Sequence, residues 1–146
     1  MNGQCIAVVS GKGGTGKTSF TAGVGTALAL SGKRVLCLDC DIGLRNLDLA
    51  LGLTDRALMD FSDVAQNRCS LESAVVSHPN VPNLYLLTAP VRMRGPSVTT
   101  LDFRLMLSKV RQQFDYCLLD APAGLGEGFR LAVCAADRCV VVTTQD

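Results

Sequence analysis

Gly11, Gly16, Lys17 and Thr18 stand at the spacing G-x-x-x-x-G-K-[ST], the pattern of a phosphate-binding loop. Glycines at positions 11, 13, 14 and 16 let the backbone curl until successive N–H groups point at phosphate oxygens. The expected cradle therefore runs from Gly11 through Lys12, Gly13, Gly14, Thr15, Gly16, Lys17 and Thr18 to Ser19. A helix beginning near Lys17 adds its positive dipole end. In this chemistry Lys17 neutralises the β- and γ-phosphates and the Thr18 hydroxyl ligates Mg²⁺, so ATP and Mg²⁺ are the expected cofactors. The bland alternative is a flexible glycine turn with solvated lysines. It leaves unexplained why the loop falls between an apolar run and a helical one.

Such a loop needs a rigid frame, and the pattern supplies one. "CIAVVS" (5–10) reads as a buried strand, and residues 17–32 carry apolar positions at helical spacing up to Gly32. "RVLCLD" (34–39) predicts a second strand that ends in the acidic turn "DCDIG". A short helix is expected near 60–67 and a third strand at "NLYLLTA" (83–89). After the breaker pair at 95–96, residues 98–114 predict an amphipathic helix. "DYCLLDAP" (115–122) is a fourth strand, a glycine-rich turn and helix follow, and "RCVVVTT" (138–144) is a fifth. Continuous apolar strands alternating with helices specify an α/β fold, a mostly parallel sheet with helices on both faces. In that fold ligands bind at the carboxyl ends of strands. Gly11–Thr18, Asp39 with Asp41, and Asp120 all fall there.

The 146 residues suit one domain, 1–146. Hydrophobic residues make up 48% and charged residues 18%, a composition able to bury a sheet on both faces. A formal net charge of +1 argues against nucleic acid as a partner. The apolar runs are too short to span a bilayer, and no leader precedes the first strand, so a cytoplasmic location is expected. Seven cysteines, an odd number, mostly inside apolar runs, read as core thiols rather than a disulfide framework. Cys37 and Cys40 form one C-x-x-C, which could bind a metal or do redox chemistry, but no second pair completes four ligands.

The stretch "KGGTGKT" resembles the deviant Walker A motif of the ParA/MinD ATPase family. "VLCLDCDIGLRNLDLALGL" (35–53), "NLYLLTA" and "FDYCLLDAPAGLGEGFRLAVCAADRCVVVTT" (114–144) extend the resemblance over nearly the whole chain. "GLRNLDL" points to the branch that places the bacterial division septum. The resemblance implies a P-loop NTPase fold and a weakly active ATPase that dimerises on Mg²⁺-ATP. It implies that Lys12 reaches across the dimer to the partner's nucleotide, a task suited to a point charge on a long stem. It also implies catalytic roles for Lys12, Lys17 and Asp41, with Asp41 positioning the attacking water. Mg²⁺ would be held by Thr18, Asp41 and Asp120, and Gly124 in the turn "APAG" would sense the γ-phosphate. Asp39 could equally be a supporting group, and Asn46 either shapes the interface or caps a helix. Implied partners are a division inhibitor, an activator and, through a C-terminal amphipathic helix outside this sequence, the inner membrane face.

Some residues depart from the family pattern. "DCDIG" and "DAPAG" replace "DADIG" and "DSPAG", "LGEGF" shifts an acidic residue by one place, and Arg92 and Arg94 replace a polar stretch. Family members also run on for a comparable length, so the chain is expected to be the N-terminal portion of a domain that stops after about five strands. Three other functions share much of the pattern: a flagellar-number ATPase, a ParA-type partitioning ATPase and a nucleotide-gated metal-cluster carrier. The carrier would need paired cysteines near a dimer axis.

Overall fold

The computed structural model describes residues 2–11 and 16–143. In chain order the elements are β1 (Gln4–Val9), α1 (Lys17–Leu30), β2 (Val35–Asp39), α2 (Leu47–Leu51), α3 (Phe61–Ala65) and α4 (Leu71–Ala74). They continue with β3 (Val76–Ser77), β4 (Leu84–Leu87), α5 (Thr100–Gln113), β5 (Tyr116–Asp120), α6 (Glu127–Ala135) and β6 (Arg138–Val141). The strands form one sheet in the order β3-β4-β2-β5-β1-β6. Every pairing is parallel except β3 with β4.

Alternation along the central strands explains the two-sided core. Leu36 and Leu38 of β2, with Cys5 and Ala7 of β1 and Cys117 and Leu119 of β5, face Phe61, Phe103 and Leu131 from α3, α5 and α6. Val35, Cys37 and Leu118 point the other way, onto Ala22 and Ala29 of α1 and Leu47 and Leu51 of α2. Each buried Leu or Phe contributes on the order of 2 kcal/mol of transfer free energy, so both layers hold the sheet firmly. The Phe61 and Phe103 rings meet edge to face at 5.5 Å, which joins α3 to α5.

The parallel α/β architecture and the core-thiol reading of Cys37 and Cys40 agree with the sequence pattern, but two details differ. The sheet has six strands, because Val76 and Ser77 pair antiparallel with Leu86 and Tyr85. Two residues are too few to leave a periodic signal. The last strand, expected over 138–144, ends at Val141, and 144–146 lie outside the described residues. The C-x-x-C pair is split: Cys37 packs on the α1 side and Cys40 on the opposite side. A spacing of three along an extended chain reverses the side-chain direction, so the two thiols cannot close on one metal ion. Burial pushes the Cys37 thiol up to about 12 and Cys40 well above its ordinary value, which leaves both as inert core groups.

Two glycines let helices approach the sheet closely. A Cβ at Gly25 would lie 2.6 Å from the Cys37 sulfur, and one at Gly128 would lie 2.0 Å from the Cys40 carbonyl oxygen. These contacts seat α1 and the start of α6 against β2 and the turn after it, beside the loops that carry the candidate site.

Candidate functional site

The carboxyl ends of β1, β2 and β5 are adjacent, because β5 pairs with both β1 and β2. Asp120 closes β5 and is 1% exposed. Three side chains from the first turns of α1 converge on its carboxylate. Lys17 Nζ lies 2.5 Å from Oδ1, the Thr18 hydroxyl donates to Oδ2 at 2.8 Å, and the Thr21 hydroxyl lies 3.4 Å from Oδ1. Thr21 Oγ1 also donates to the Lys17 carbonyl at 2.9 Å. The phosphate-loop pattern does not include Thr21, whose sequence signal is its place one helical turn beyond Lys17 on the buried face.

The local fold explains how Lys17 and Thr18 arrive there. Gly16 has φ +79°, a left-handed conformation that turns the chain from the loop into α1. The first turn of α1 contains neither an acidic residue nor a side-chain cap, so its N–H groups and dipole face the loop without a built-in anion. Gly11 and Ser19 are exposed at the two ends of this region. Lys12, Gly13, Gly14 and Thr15 lie outside the described residues.

Asp39 is as deeply buried as Asp120 and does a different job. Its carboxylate accepts the Asp41 N–H at 2.8 Å and the Leu47 N–H at 3.2 Å, tying the acidic turn to the start of α2. Burial pushes its carboxyl up to about 7, against the pull of those two N–H groups, with Asp120 and Asp41 adding repulsion. The geometry favours the supporting role among the alternatives left open for Asp39. It also corrects the capping option for Asn46, which occupies the N-cap position of α2 without a side-chain cap bond. Asp39 caps that helix from a distance.

Asp41 is half-buried. Burial raises its carboxyl, Lys17 opposes the rise and Asp120 adds to it, which places Asp41 within electrostatic reach of the Lys17–Asp120 pair. A pocket of about 320 Å³ opens between Asp41, Pro122, Ala123 and Glu127. Gly124, in the turn after β5, has φ +87° and is exposed. Glu127 opens α6, and its Oε1 is buried without a hydrogen-bond partner among the described residues. This is the acidic residue displaced by one place in "LGEGF".

Thr18 and Asp120 offer hard oxygen ligands 2.8 Å apart, the donor chemistry that suits Mg²⁺, while Lys17 and the start of α1 supply positive charge beside them. Groups with the chemistry to hold a cation and a phosphate are thus brought side by side. Among the described residues no helix is long and apolar enough to cross a membrane.

Known proteins share this arrangement of elements. The septum site-determining protein MinD of Bacillus subtilis is 43% identical over 145 residues, covering 99% of this chain and 54% of its own. The MinD of Thermotoga maritima is 43% identical over 144 residues, covering 99% and 53%. Among solved structures, the MinC:MinD cell division protein complex of Aquifex aeolicus superposes with TM-score 0.83 at 40% identity, covering 94% of this chain and 55% of that one. The Pyrococcus horikoshii MinD complexed with Mg-ADP gives TM-score 0.82 at 31% identity, covering 96% and 57%. The chain spans about half the length of the curated relatives it matches. Its fold is the P-loop NTPase fold of these structures, and it is similar to MinD across nearly all of its residues. Matched from residue 3 to residue 146, the chain belongs to the AAA domain family.

Proposed function

We propose that the chain is the nucleotide-binding portion, a single domain over 1–146, of a MinD-like ATPase that dimerises on Mg²⁺-ATP. It would act as a switch in placing the bacterial division site. The convergence of Lys17 and Thr18 on Asp120 carries this reading, since it unites the two halves of a nucleotide site from opposite ends of the sequence. Likeness to MinD proteins, including one complexed with Mg-ADP and one in a MinC:MinD complex, supports the nucleotide and a division-inhibitor partner.

On this reading the Gly11–Ser19 run wraps the phosphates, and Lys17 neutralises their charge. Thr18, Asp120 and Asp41 would hold Mg²⁺, which when bound would supply charge neutralisation. Asp41 orients the attacking water, its turn held by the Asp39 carboxylate on its N–H. Gly124 presents backbone N–H groups to the γ-phosphate, and Lys12 reaches the partner's nucleotide. An activator and a membrane-binding helix, both implied by the resemblance, complete the cycle at the inner membrane face. The metal-cluster carrier is disfavoured because Cys37 and Cys40 face opposite sides of the sheet.

The test measures fluorescent ATP binding and molar mass in solution with Mg²⁺-ATP and Mg²⁺-ADP. Lys17→Ala should weaken nucleotide binding roughly 10- to 100-fold, the loss expected when a charged hydrogen-bond partner is removed. An ATP-specific dimer of Asp41→Ala that Lys12→Ala abolishes supports the switch. Equal nucleotide binding by the Lys17→Ala and unaltered chains would overturn the reading.

A further inference from the structure

The two arginines that replace a polar stretch after β4 help to line a second pocket. It has a volume of about 260 Å³, and Arg45, Arg92, Arg94 and Thr88 line it. Arg45 comes from the loop after β2, in which Gly43 donates to the Pro90 carbonyl at 3.1 Å. Its Nε donates to the hydroxyl of Thr88 at 3.2 Å, and Thr88 is 1% exposed. Among the described residues that leaves the terminal guanidinium nitrogens of Arg45 and the Thr88 hydroxyl proton without a hydrogen-bond partner. Arg92 and Arg94 have no hydrogen-bond or ion-pair partner among the described residues, although the Arg94 charge helps to lower the Asp63 carboxyl.

Among the described residues one carboxylate lines the pocket, that of Asp60. It accepts the Ser62 and Asp63 N–H groups at 2.8 and 3.3 Å, together with the Ser62 hydroxyl. All three bonds fall on Oδ1 and leave the Asp60 charge in place, so three guanidinium groups against one carboxylate give the lining a surplus of positive charge. Beside this charge Leu58, Met59 and Val91 form an exposed apolar rim, with Leu58 95% exposed.

We propose that this pocket binds the phosphate group of a small phosphate monoester. A phosphate dianion matches the surplus charge, and planar guanidinium forks match its oxygens in pairs. The Thr88 hydroxyl adds a fixed, buried donor, and the rim covers the apolar body of the ester. The site is separate from the Lys17–Asp120 centre, and its proposal does not depend on the nucleotide reading. An occupant would nevertheless link the loop carrying Asp41, Gly43 and Arg45 to the loop after β4.

The experiment is a ¹⁵N amide titration of the full chain, unaltered and as Lys17→Ala, with phenyl phosphate, inorganic phosphate and phenol. Phenyl phosphate should give saturable shifts at residues 44–46, 58–60 and 88–94 in both proteins. The affinity should fall at least tenfold in Arg92→Ala/Arg94→Ala. Both arginines are exposed, so that variant should otherwise keep its spectrum. Any phosphate bound at the glycine loop is recognised separately, because it moves residues 16–20. Equal affinity for inorganic phosphate would support the anion site and assign it to free phosphate. Three results would overturn the proposal: no saturable shift at those amides, the same shifts with phenol, or undiminished binding by the double arginine variant.

Discussion

Asp120 shows how far single residues could be read from their types and spacing. Lys17 and Thr18 carry a motif, and Asp120 ends an apolar run, so their meeting could be anticipated. Thr21 and Glu127 carry weaker marks, a helical spacing from Lys17 and a shifted acidic position, and the bond to Asp120 and the carboxylate oxygen unpaired among the described residues emerge only from their neighbours. Cys37 is similar: its run shows that it is buried, but not that it fills the space opposite Gly25. That contact makes a direct prediction. Gly25→Ala forces its methyl to within 2.6 Å of the Cys37 sulfur and should cost about 1–3 kcal/mol, the usual range for overpacking. Cys37→Ala alone should also destabilise by opening space. Combining them should cost less than the sum, since each substitution relieves what the other creates. Urea denaturation of the two single variants and the double variant checks this, and strict additivity would refute the contact.

At the scale of elements, legibility followed length. The long helices α1 and α5 and the central strands declare themselves through sustained periodicity or continuous apolar runs. α2 and β3, with five and two residues, are held by tertiary bonds rather than by their own propensity, while α4, with four, adds a local Ser70 cap to its packing against the core. α2, for example, receives its cap from Asp39, eight residues before Leu47, which no local pattern encodes. α3 is the instructive exception, five residues long yet expected near its true place. Asp60 accepts the Ser62 and Asp63 N–H groups, and the Asp63 carboxylate accepts the Asp60 N–H at 3.0 Å. This reciprocal box starts the helix locally, and the Phe61 N–H bond to the Thr88 carbonyl at 2.9 Å ties it to the end of β4. Asp60→Ala should therefore cost about 1 kcal/mol of stability. It should also speed amide exchange at Ser62 and Asp63 more than in α5. Unchanged exchange at those two amides would show that the box does not hold the helix.

For the whole molecule, strand order decides where chemistry can occur. β5 between β1 and β2 gathers three sequence-distant loops at one end of the sheet, and that order could not be read from composition or periodicity. Among the described residues β6 pairs with β1 on the side away from β5. Asp137 fastens the entrance to β6. Its carboxylate accepts the Cys5 N–H at 2.8 Å, while Arg111 on α5 reaches both oxygens at 3.1 Å. Its own N–H donates to the Cys5 carbonyl at 2.7 Å, so β1, α5 and β6 share one junction. Burial pushes the Asp137 carboxyl up, but the Cys5 N–H and Arg111 outweigh it and hold the group below its ordinary 3.8. A carboxyl lowered in the folded state binds fewer protons there than in the unfolded chain. Its stabilisation is therefore complete above pH 3.8 and is lost as pH falls through the lower folded value. The side chain is 42% exposed, so solvent screening keeps the effect small. Asp137→Asn should lower the urea midpoint at pH 6 and flatten its decline below pH 4. At the acid end the variant and the unaltered protein should converge. Parallel curves displaced by a constant amount over that window would show that the junction acts through packing rather than through the ionised carboxylate.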